Sequence, residues 1–576
     1  MSTAAWAPVD DTIPPLRWWA AVICSGLTPL LLTPLGDLLD PIWLIVVLVV
    51  LTLVAVGCGL PPAFARAWRE LTTQRRVGGA TLLAAACVLA LLSSVTFFFA
   101  GIIDGFVAIA LAAAAHLVAA RVLTTVLRVV PGAVSPGTLP AGDPAKPRGL
   151  LTRVDVGLRW LPTAVGVLAI LVVLGWTLLR MGDLPWFGFV EGSFAALSIL
   201  LVASPAAFWL ARVLPTRAAR DRGRELGIRY GDVDLLRLAR VRHLALDPIG
   251  VVTDPRPRLV GVHTLGRLQA TAALQAAASV ADDGGTHPAH AALVGAARDR
   301  ALALRPAEPI DGNGPTRRGR IKDTVVTLGT ADAFDRVPTE LLDRGSTLFV
   351  GWGGIARAGF ELVPTVRSEA LADWPELSAL QIDPVFGCAD EVALRHVGSA
   401  LELRDQDMHV VSDDAHAAGD DARTGPATTT PPTTGRQTGM RTTWRSLIED
   451  LRALAPVAVV GEHGTEDDPD VFVLTDAPAR TEDGPHPHTP SSSTTVRLTH
   501  ADLSGAVRAL ALARKASRVT TQGLVLVAVV HLITLPLAAL AILEPTVAAV
   551  VGAGLPLLVA ANGLRPRSFD REHADA

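Results

Sequence analysis

Ser204-Pro205-Ala206, RGRELGIRYG at 222–231, LLRLARVRHLALD at 235–247 and PIGVVTDPRPRLV at 248–260 follow one another in this order, and their succession decides the fold. The triplet lies inside an apolar run, where a proline frees a backbone carbonyl and kinks the helix that carries it. The arginine-rich stretch behind it leaves the apolar environment, and HLALD is a short apolar run closing on Asp247. Such a run reads as a buried strand, and an aspartate at its end often caps the loop that follows. A membrane helix thus leads within a short distance to the first strand of a folded domain.

Half of the 576 residues are hydrophobic, yet they gather in blocks towards the two ends instead of spreading at the density of a soluble core. That distribution belongs to a membrane protein, with the lipid bilayer as its first partner. The formal net charge is −4, with acids and bases interspersed through the middle, so no face is basic enough to suggest nucleic acid. Cys24, Cys58, Cys87 and Cys388 stand apart with no CxxC pair, which argues against a disulfide framework or a zinc finger. The start, MSTAAWAPVDDTIPPLRWW, lacks a basic n-region, and the first apolar block is read as a retained helix.

A bilayer core takes about 20 apolar residues per helix, and about eight segments qualify. They lie near 17–35, 41–60, 79–100, 102–130, 160–182, 190–214, 520–543 and 546–565. Arg66, Arg69, Arg75 and Arg76 mark one set of loops, with Lys146, Arg148 and Arg153, while the turns at Asp37, Asp40 and Glu544 are acidic or neutral. By the positive-inside rule both termini and the long 215–519 segment are expected in the cytoplasm, as in a multi-pass protein of a bacterial cytoplasmic (inner) membrane.

Within that segment HLALD, STLFV, ALQIDPVF, PVAVVG and DVFVLT alternate with amphipathic helical stretches, an α/β pattern with a mostly parallel sheet. Two stretches, 405–442 and 479–496, are polar, rich in Thr and Pro, and lack the apolar content to fold; they are expected to be disordered insertions.

The opening succession resembles the heavy-metal-transporting P-type ATPases, in which a CPC-type membrane motif is followed by GAELGI, LARV and the phosphorylation signature DKTGTLT. Ser204, Pro205 and Ala206 stand where CPC would be, Glu225 to Ile228 match ELGI, Leu238 to Val241 match LARV, and Asp247 falls on the phosphorylated aspartate. GLPPAFARAWREL at 59–71 looks like the family's kinked second helix and amphipathic platform. THPAHAALVGAAR at 286–298 looks like its His-Pro loop, with Gly312 and Gly314 in the place of a glycine pair; RGSTLFVGWGGIARAGFEL and VRSEA follow in order. ALARKASRVTTQGL then leads into the closing helix pair, which contains Pro536 and Asn562.

The resemblance implies an α-helical membrane bundle plus a Rossmann-like haloacid-dehalogenase domain with an inserted α+β nucleotide-binding domain. It divides the chain into four helices in 1–130, a linker at 131–159, a helix pair at 160–214, a first phosphorylation-type part at 215–262, a nucleotide-type insert at 263–362, a second part at 363–519 and a helix pair at 520–566. It also implies ATP held near His287, Pro288, Gly312 and Gly314, and magnesium held by Asp247, Glu462 and Asp467.

Phosphoryl transfer to a carboxylate needs an in-line nucleophile, magnesium, and cations that neutralise the transferring oxygens. Asp247 and the Ile249 carbonyl supply part of this, and GEHGTEDDP at 461–469 stands in place of the family's GDGxNDxP. Pro248, however, replaces the lysine after the nucleophile, no lysine stands near Arg441 to Arg445, and Phe386-Gly387-Cys388 replaces TGD. The 131–159 linker is too short for the family's actuator domain. In the membrane only Ser204 and His531 keep a ligand atom beside Pro205, with Val530 and His531 in the place of a Tyr-Asn pair.

The expectation is a pseudo-ATPase that scaffolds or regulates another transporter. The alternative is a divergent ATP-driven heavy-metal transporter phosphorylated on Asp247, with an actuator-like subunit supplied by another chain. Each residue also has a plain structural reading. In that reading Asp247 serves only as a loop cap, Thr286 and Pro288 as a helix start, Asp104, His116 and His531 as bridges between helices, and Cys58, Cys87 and Cys388 as packing thiols. His486 and His488 read as solvated.

Overall fold

The computed structural model describes residues 15–30, 41–59, 61–73, 75, 77–98, 150–180, 185–231, 233–254, 256–282, 287–313, 316–412, 442–461, 470–476, 494–500 and 502–569. The chain divides into a helical unit, Met1–Leu226 with Leu512–Ala576, and an α/β unit, Gly227–Ala511.

In the helical unit four described helices are long and apolar enough to cross a membrane: Trp160–Leu179, Phe187–Glu225, Leu503–Ala539 and Pro545–Ser568. Val46–Cys58 and Ala63–Thr72 form a further pair bent by 59°. Ile170, Leu171, Leu174, Leu532 and Leu558 are each more than half exposed among the described residues, an arrangement suited to a lipid surrounding. The expected span at 102–130 lies outside the described residues, and the helix expected from 160 begins ten residues earlier, at Leu150, inside the anticipated linker.

Polar tips and small residues hold these helices together, because lipid gives apolar side chains no reason to prefer a neighbouring helix. Trp176 Nε1 donates to Ala539 O at 3.0 Å, and Ser198 Oγ donates to Leu543 O at 2.8 Å. A Cβ at Gly552 would sit 2.0 Å from Leu201 O, so only glycine lets Pro545–Gly563 come this near the end of Pro185–Val202. Buried Glu70 accepts from Thr81 N at 3.1 Å and Thr81 Oγ1 at 2.6 Å, closing the amino end of Gly79–Phe98 from the platform helix Pro61–Thr72.

The α/β unit contains strands β1 (Ile228–Arg229), β2 (His243–Leu246), β3 (Arg258–Thr264), β4 (Glu308–Asn313), β5 (Thr316–Ile321), β6 (Thr324–Gly329), β7 (Leu348–Trp352), β8 (Ile355–Val363), β9 (Asp383–Cys388), β10 (Met408–Ser412), β11 (Thr442–Thr443), β12 (Val457–Val460), β13 (Val471–Asp476) and β14 (Thr495–Leu498). Eight of them form one sheet in the order β1-β14-β13-β12-β2-β9-β10-β11. All neighbours in it are parallel except β1 and β14. Its central strands are apolar on both faces: every residue of β12, and Leu244 to Leu246 of β2, is buried. The chain builds β9 to β11 on one side of β2 and β12 to β14 on the other, so the carboxyl end of β2 lies where the winding reverses.

The insert is a six-stranded antiparallel sheet, β3-β8-β7-β6-β5-β4, backed by Ala270–Ala281 and Pro288–Asp299 over a core including Leu274, Leu293, Leu328, Val350 and Phe360.

Several expected boundaries change. STLFV belongs to the antiparallel insert as β7, not to the parallel sheet. The insert starts at Arg258 and ends at Val363, since 258–262 pair with β8 and do not belong to the first α/β part. Residues 405–412, expected in a disordered stretch, form a turn and β10 against β9, with Thr442 in β11, and Thr495 and Val496 belong to β14. Polar flanks hid short strands that the sheet supplies with partners.

Replacing Gly552 by leucine is expected to destabilise the helical unit by about 1–3 kcal/mol, the usual effect of forcing volume into a packed contact. A melting curve in detergent measures this, and Gly554→Leu, where an added Cβ meets open space, is the matched control.

Candidate functional site

Asp247 directly follows β2 and is half-buried. Its Oδ1 accepts from Ile249 N at 2.8 Å, turning the chain sharply, and Gly250 takes φ +82°, which a side-chain-bearing residue rarely adopts. Val252 N and Thr253 N both donate to Pro248 O at 3.1 Å, and Gly250 N donates to the fully buried Thr253 Oγ1 at 3.2 Å. Aspartate, glycine and threonine at these spacings thus make a closed turn. One carboxylate oxygen performs the loop-capping role anticipated from sequence.

The neighbouring strand end brings Cys388 to Asp247. The thiol is buried and donates to the carboxylate, while Asp390 N–H donates to its sulfur. Burial first, and then the Asp247 charge, push the thiol up to about 12. Asp390, whose significance the sequence did not reveal, also caps the next helix, with Oδ1 accepting from Ala393 N at 3.0 Å. Behind Cys388, the indole of Trp444 lies against Gly387, where a Cβ would be 2.8 Å from the ring. Trp444 is buried at the head of Trp444–Leu454, in the stretch where the family resemblance implies a lysine, and Arg445 beside it is exposed.

One cation reaches the turn after Asp247, Arg367. It donates from Nη2 to Gly250 O at 2.8 Å and from Nε to Thr253 O at 3.0 Å, so its charge lies on the turn's backbone. Glu462 and Asp467 lie outside the described residues. Among the described residues no group of three or more His, Cys, Asp or Glu gathers where it could hold a metal ion.

In the insert, His287 and Pro288 stand together at the start of Pro288–Asp299. The cap is His287 itself, in extended conformation, and not Thr286, which lies outside the described residues as does Gly314. The His287 and His290 rings are 5.1 Å apart, and Gly312 sits on β4 opposite Arg317 of β5. Burial, His290 and Arg317 together pull the His287 imidazole below its ordinary range, so it is neutral at physiological pH. A neutral imidazole beside a guanidinium offers hydrogen bonding and charge to an anionic, aromatic ligand.

In the helical unit the apolar helix is interrupted at Ser204, with Pro205 opening Pro205–Glu225. Ser204 N donates to His531 Nε2 at 3.1 Å, and His531 Nδ1 lies 2.7 Å from Val527 O. Since Nε2 accepts and a carbonyl can only accept, the proton is on Nδ1 and the ring is neutral. Ser204 and His531 are buried, with Phe208 5.2 Å from the imidazole. The backbone N–H of Ser204 is therefore satisfied by His531, and both imidazole nitrogens are engaged. Asp104, His116, His486 and His488 lie outside the described residues.

A doubly wound sheet with an aspartate at the end of its central strand, an antiparallel insert leaving just behind that turn, and apolar helices before and after in sequence are the arrangement that the resemblance to P-type ATPases implies. In sequence the chain is similar to heavy-metal-transporting members of that class. It is 28% identical over 456 residues to a probable copper-exporting P-type ATPase V of Mycobacterium tuberculosis, covering 75% of this chain and 52% of the relative. It is 25% identical over 386 residues to a copper-transporting P-type ATPase of Rhizobium leguminosarum bv. viciae, covering 66% of this chain and 42% of the relative. The chain spans about half the length of the curated relatives it matches. In fold it matches a crystal structure of a zinc-transporting PIB-type ATPase in the E2.Pi state, with a TM-score of 0.55, 18% identity, and coverage of 96% of this chain and 99% of the other. No family model matches the chain.

The folded Cys388 thiol titrates near 12 against an ordinary 9.0, so its contribution to stability is complete below the ordinary value and is lost as pH rises towards the folded one. Iodoacetamide is expected to alkylate Cys388 only at strongly alkaline pH, and Asp247→Asn should move that midpoint down. In the helical unit, His531→Ala leaves the buried Ser204 N–H without its acceptor and is expected to lower stability by about 1–3 kcal/mol in detergent melting.

Proposed function

We propose that this membrane protein is a pseudo-ATPase of the heavy-metal family. It keeps the transport-like helices and the inserted domain, and serves as a scaffold or regulator without pumping ions. The observation that carries this reading is the partner of Asp247. The buried Cys388 thiol hydrogen-bonds the carboxylate where the family's TGD aspartate would stand, and among the described residues the Arg367 guanidinium is bonded to the backbone carbonyls of Gly250 and Thr253. Transfer of a phosphoryl group onto a carboxylate without compensating cations forfeits the electrostatic stabilisation that dominates such reactions.

On this reading the chain crosses a bacterial cytoplasmic membrane about eight times, with both termini and the α/β unit on the cytoplasmic side. The insert holds ATP near His287, Pro288, Gly312 and Gly314. Any magnesium present is held at Asp247 with Glu462 and Asp467, without turnover. Its partner is a transporter that it regulates. The engagement of both His531 nitrogens supports the absence of ion passage, because a metal ion would have to displace a buried N–H from the imidazole.

One observation favours a second reading, a divergent ATP-driven heavy-metal transporter phosphorylated on Asp247 with a separate actuator-like subunit. The turn after the aspartate keeps Gly250 at positive φ and a buried Thr253, the backbone a nucleophile loop requires. Incubation of the purified protein with labelled ATP separates the two readings. The pseudo-ATPase gives no acid-stable, hydroxylamine-labile label, whereas label that disappears in Asp247→Asn establishes the transporter.

A further inference from the structure

The parallel sheet has a second end, far from Asp247. Arg242 precedes β2 and Asp383 opens β9, joined where Asp383 N donates to Arg242 O at 2.7 Å, while Asp247 and Cys388 stand at the carboxyl ends of the same two strands. At the amino ends lies a cavity of about 610 Å³, a volume that suits a small molecule. Buried Ile382 and Leu401 and half-buried Trp374 give it apolar walls. The indole is stacked on fully buried Phe386, with ring centroids 5.9 Å apart, so its plane is held in place.

Two helices, Ser368–Ala379 and Glu391–Ala400, end on this cavity. At the first, Gln381 N donates to Ser378 O at 2.9 Å and Ile382 N to Leu377 O at 3.0 Å; at the second, Leu403 N donates to Gly398 O at 2.9 Å. These bonds need one left-handed residue at each helix end, a position that favours glycine. Here the two residues are Gln381 at φ +52° and Glu402 at φ +55°, and both line the cavity. The chain thus accepts backbone strain twice and gains two long polar side chains on one cavity wall. Helix carboxyl ends carry partial negative charge, and Asp383, Glu402 and Asp407 add three carboxylates. Arg404 and Arg242 line the cavity as well, but Arg404 Nε donates to Asp407 Oδ2 at 2.8 Å, so that pair cancels and Arg242 stands against Asp383 and Glu402.

We propose that this cavity binds a small organic cation, an ammonium group carried on an apolar body. The apolar body packs against Trp374, whose ring face attracts a cation, and the charge is met by Glu402, Asp383 and the two helix ends. The site lies at the opposite end of the strands from Asp247, so the inference stands whether or not that carboxylate accepts a phosphoryl group.

Calorimetry on the full-length protein in detergent tests the site, with phenethylamine as the probe and 2-phenylethanol as its neutral counterpart. Phenethylamine is expected to bind once per chain, and 2-phenylethanol about tenfold more weakly or not at all. Glu402→Gln and Trp374→Leu should each weaken the amine about tenfold, whereas Arg404→Gln, which releases Asp407 to the cavity, should tighten it. Glu402→Gly guards against a variant that merely misfolds. Glycine relieves the left-handed residue, so the melting temperature is kept or raised while amine binding falls. Absence of phenethylamine binding in wild type overturns the proposal. Equal affinity for the amine and the alcohol, or amine affinity unchanged in both Glu402→Gln and Glu402→Gly, overturns it as well.

Discussion

Compensation of one negative charge governs the α/β unit. The parallel sheet delivers the Asp247 carboxylate to the end of its central strand, where the winding reverses and neighbouring strand ends converge. A carboxylate there must be neutralised by something, and the supply of neutralising groups decides whether the position can do chemistry. Here the described supply is internal. Ile249 N–H satisfies one oxygen, and the Cys388 thiol donates to the carboxylate as well. A thiol with its proton held so firmly is a hydrogen-bond donor and a poor ligand for a hard cation, which prefers oxygen.

The same economy of internal partners recurs in the membrane helices. A proline break in an apolar helix exposes backbone groups that lipid cannot satisfy, and in a transporter such groups become available to an ion. His531 instead accepts from Ser204 N–H and, through its other nitrogen, bonds the carbonyl of Val527 on its own helix. The α/β unit and the helical unit each contain a backbone irregularity, the turn with its left-handed glycine and the helix break at proline. In each, polar groups beside it bond one another, the Cys388 thiol with Asp247 and the Ser204 N–H with His531.

How much of this could be read from the chain depended on whether a residue's role is set locally or by its neighbours in space. HLALD, PVAVVG and DVFVLT read as strands because each holds a continuous apolar run, which the sheet buries on both faces. The helix break at Ser204 and Pro205 was legible from proline alone. Met408–Ser412 was not, because acidic residues before it and a polar tract after it lowered its apolar density; its strand character comes from pairing with β9. Cys388 was legible as a substitution, but its bond to Asp247 depends on two strands meeting in register, which no local pattern reports. Trp444, Asp390 and Arg367 escaped notice for the same reason. A tryptophan after a threonine cap, an aspartate before a helix and an arginine ahead of Ser-Glu-Ala each look like ordinary helix-start residues. The capping box that Thr443 and Ser446 make at the head of the Trp444 helix was the one local signal available there.

The central claim is that Asp247, bonded among the described residues to the Ile249 N–H and the Cys388 thiol, does not hold a phosphoryl group. Beryllium fluoride with magnesium mimics a phosphorylated aspartate and needs the same compensation, without any requirement for turnover. Titrated into the purified protein and followed by calorimetry or thermal melting, it is expected to give no heat of binding and no stabilisation. Stoichiometric, magnesium-dependent binding that is lost in Asp247→Asn would contradict the account.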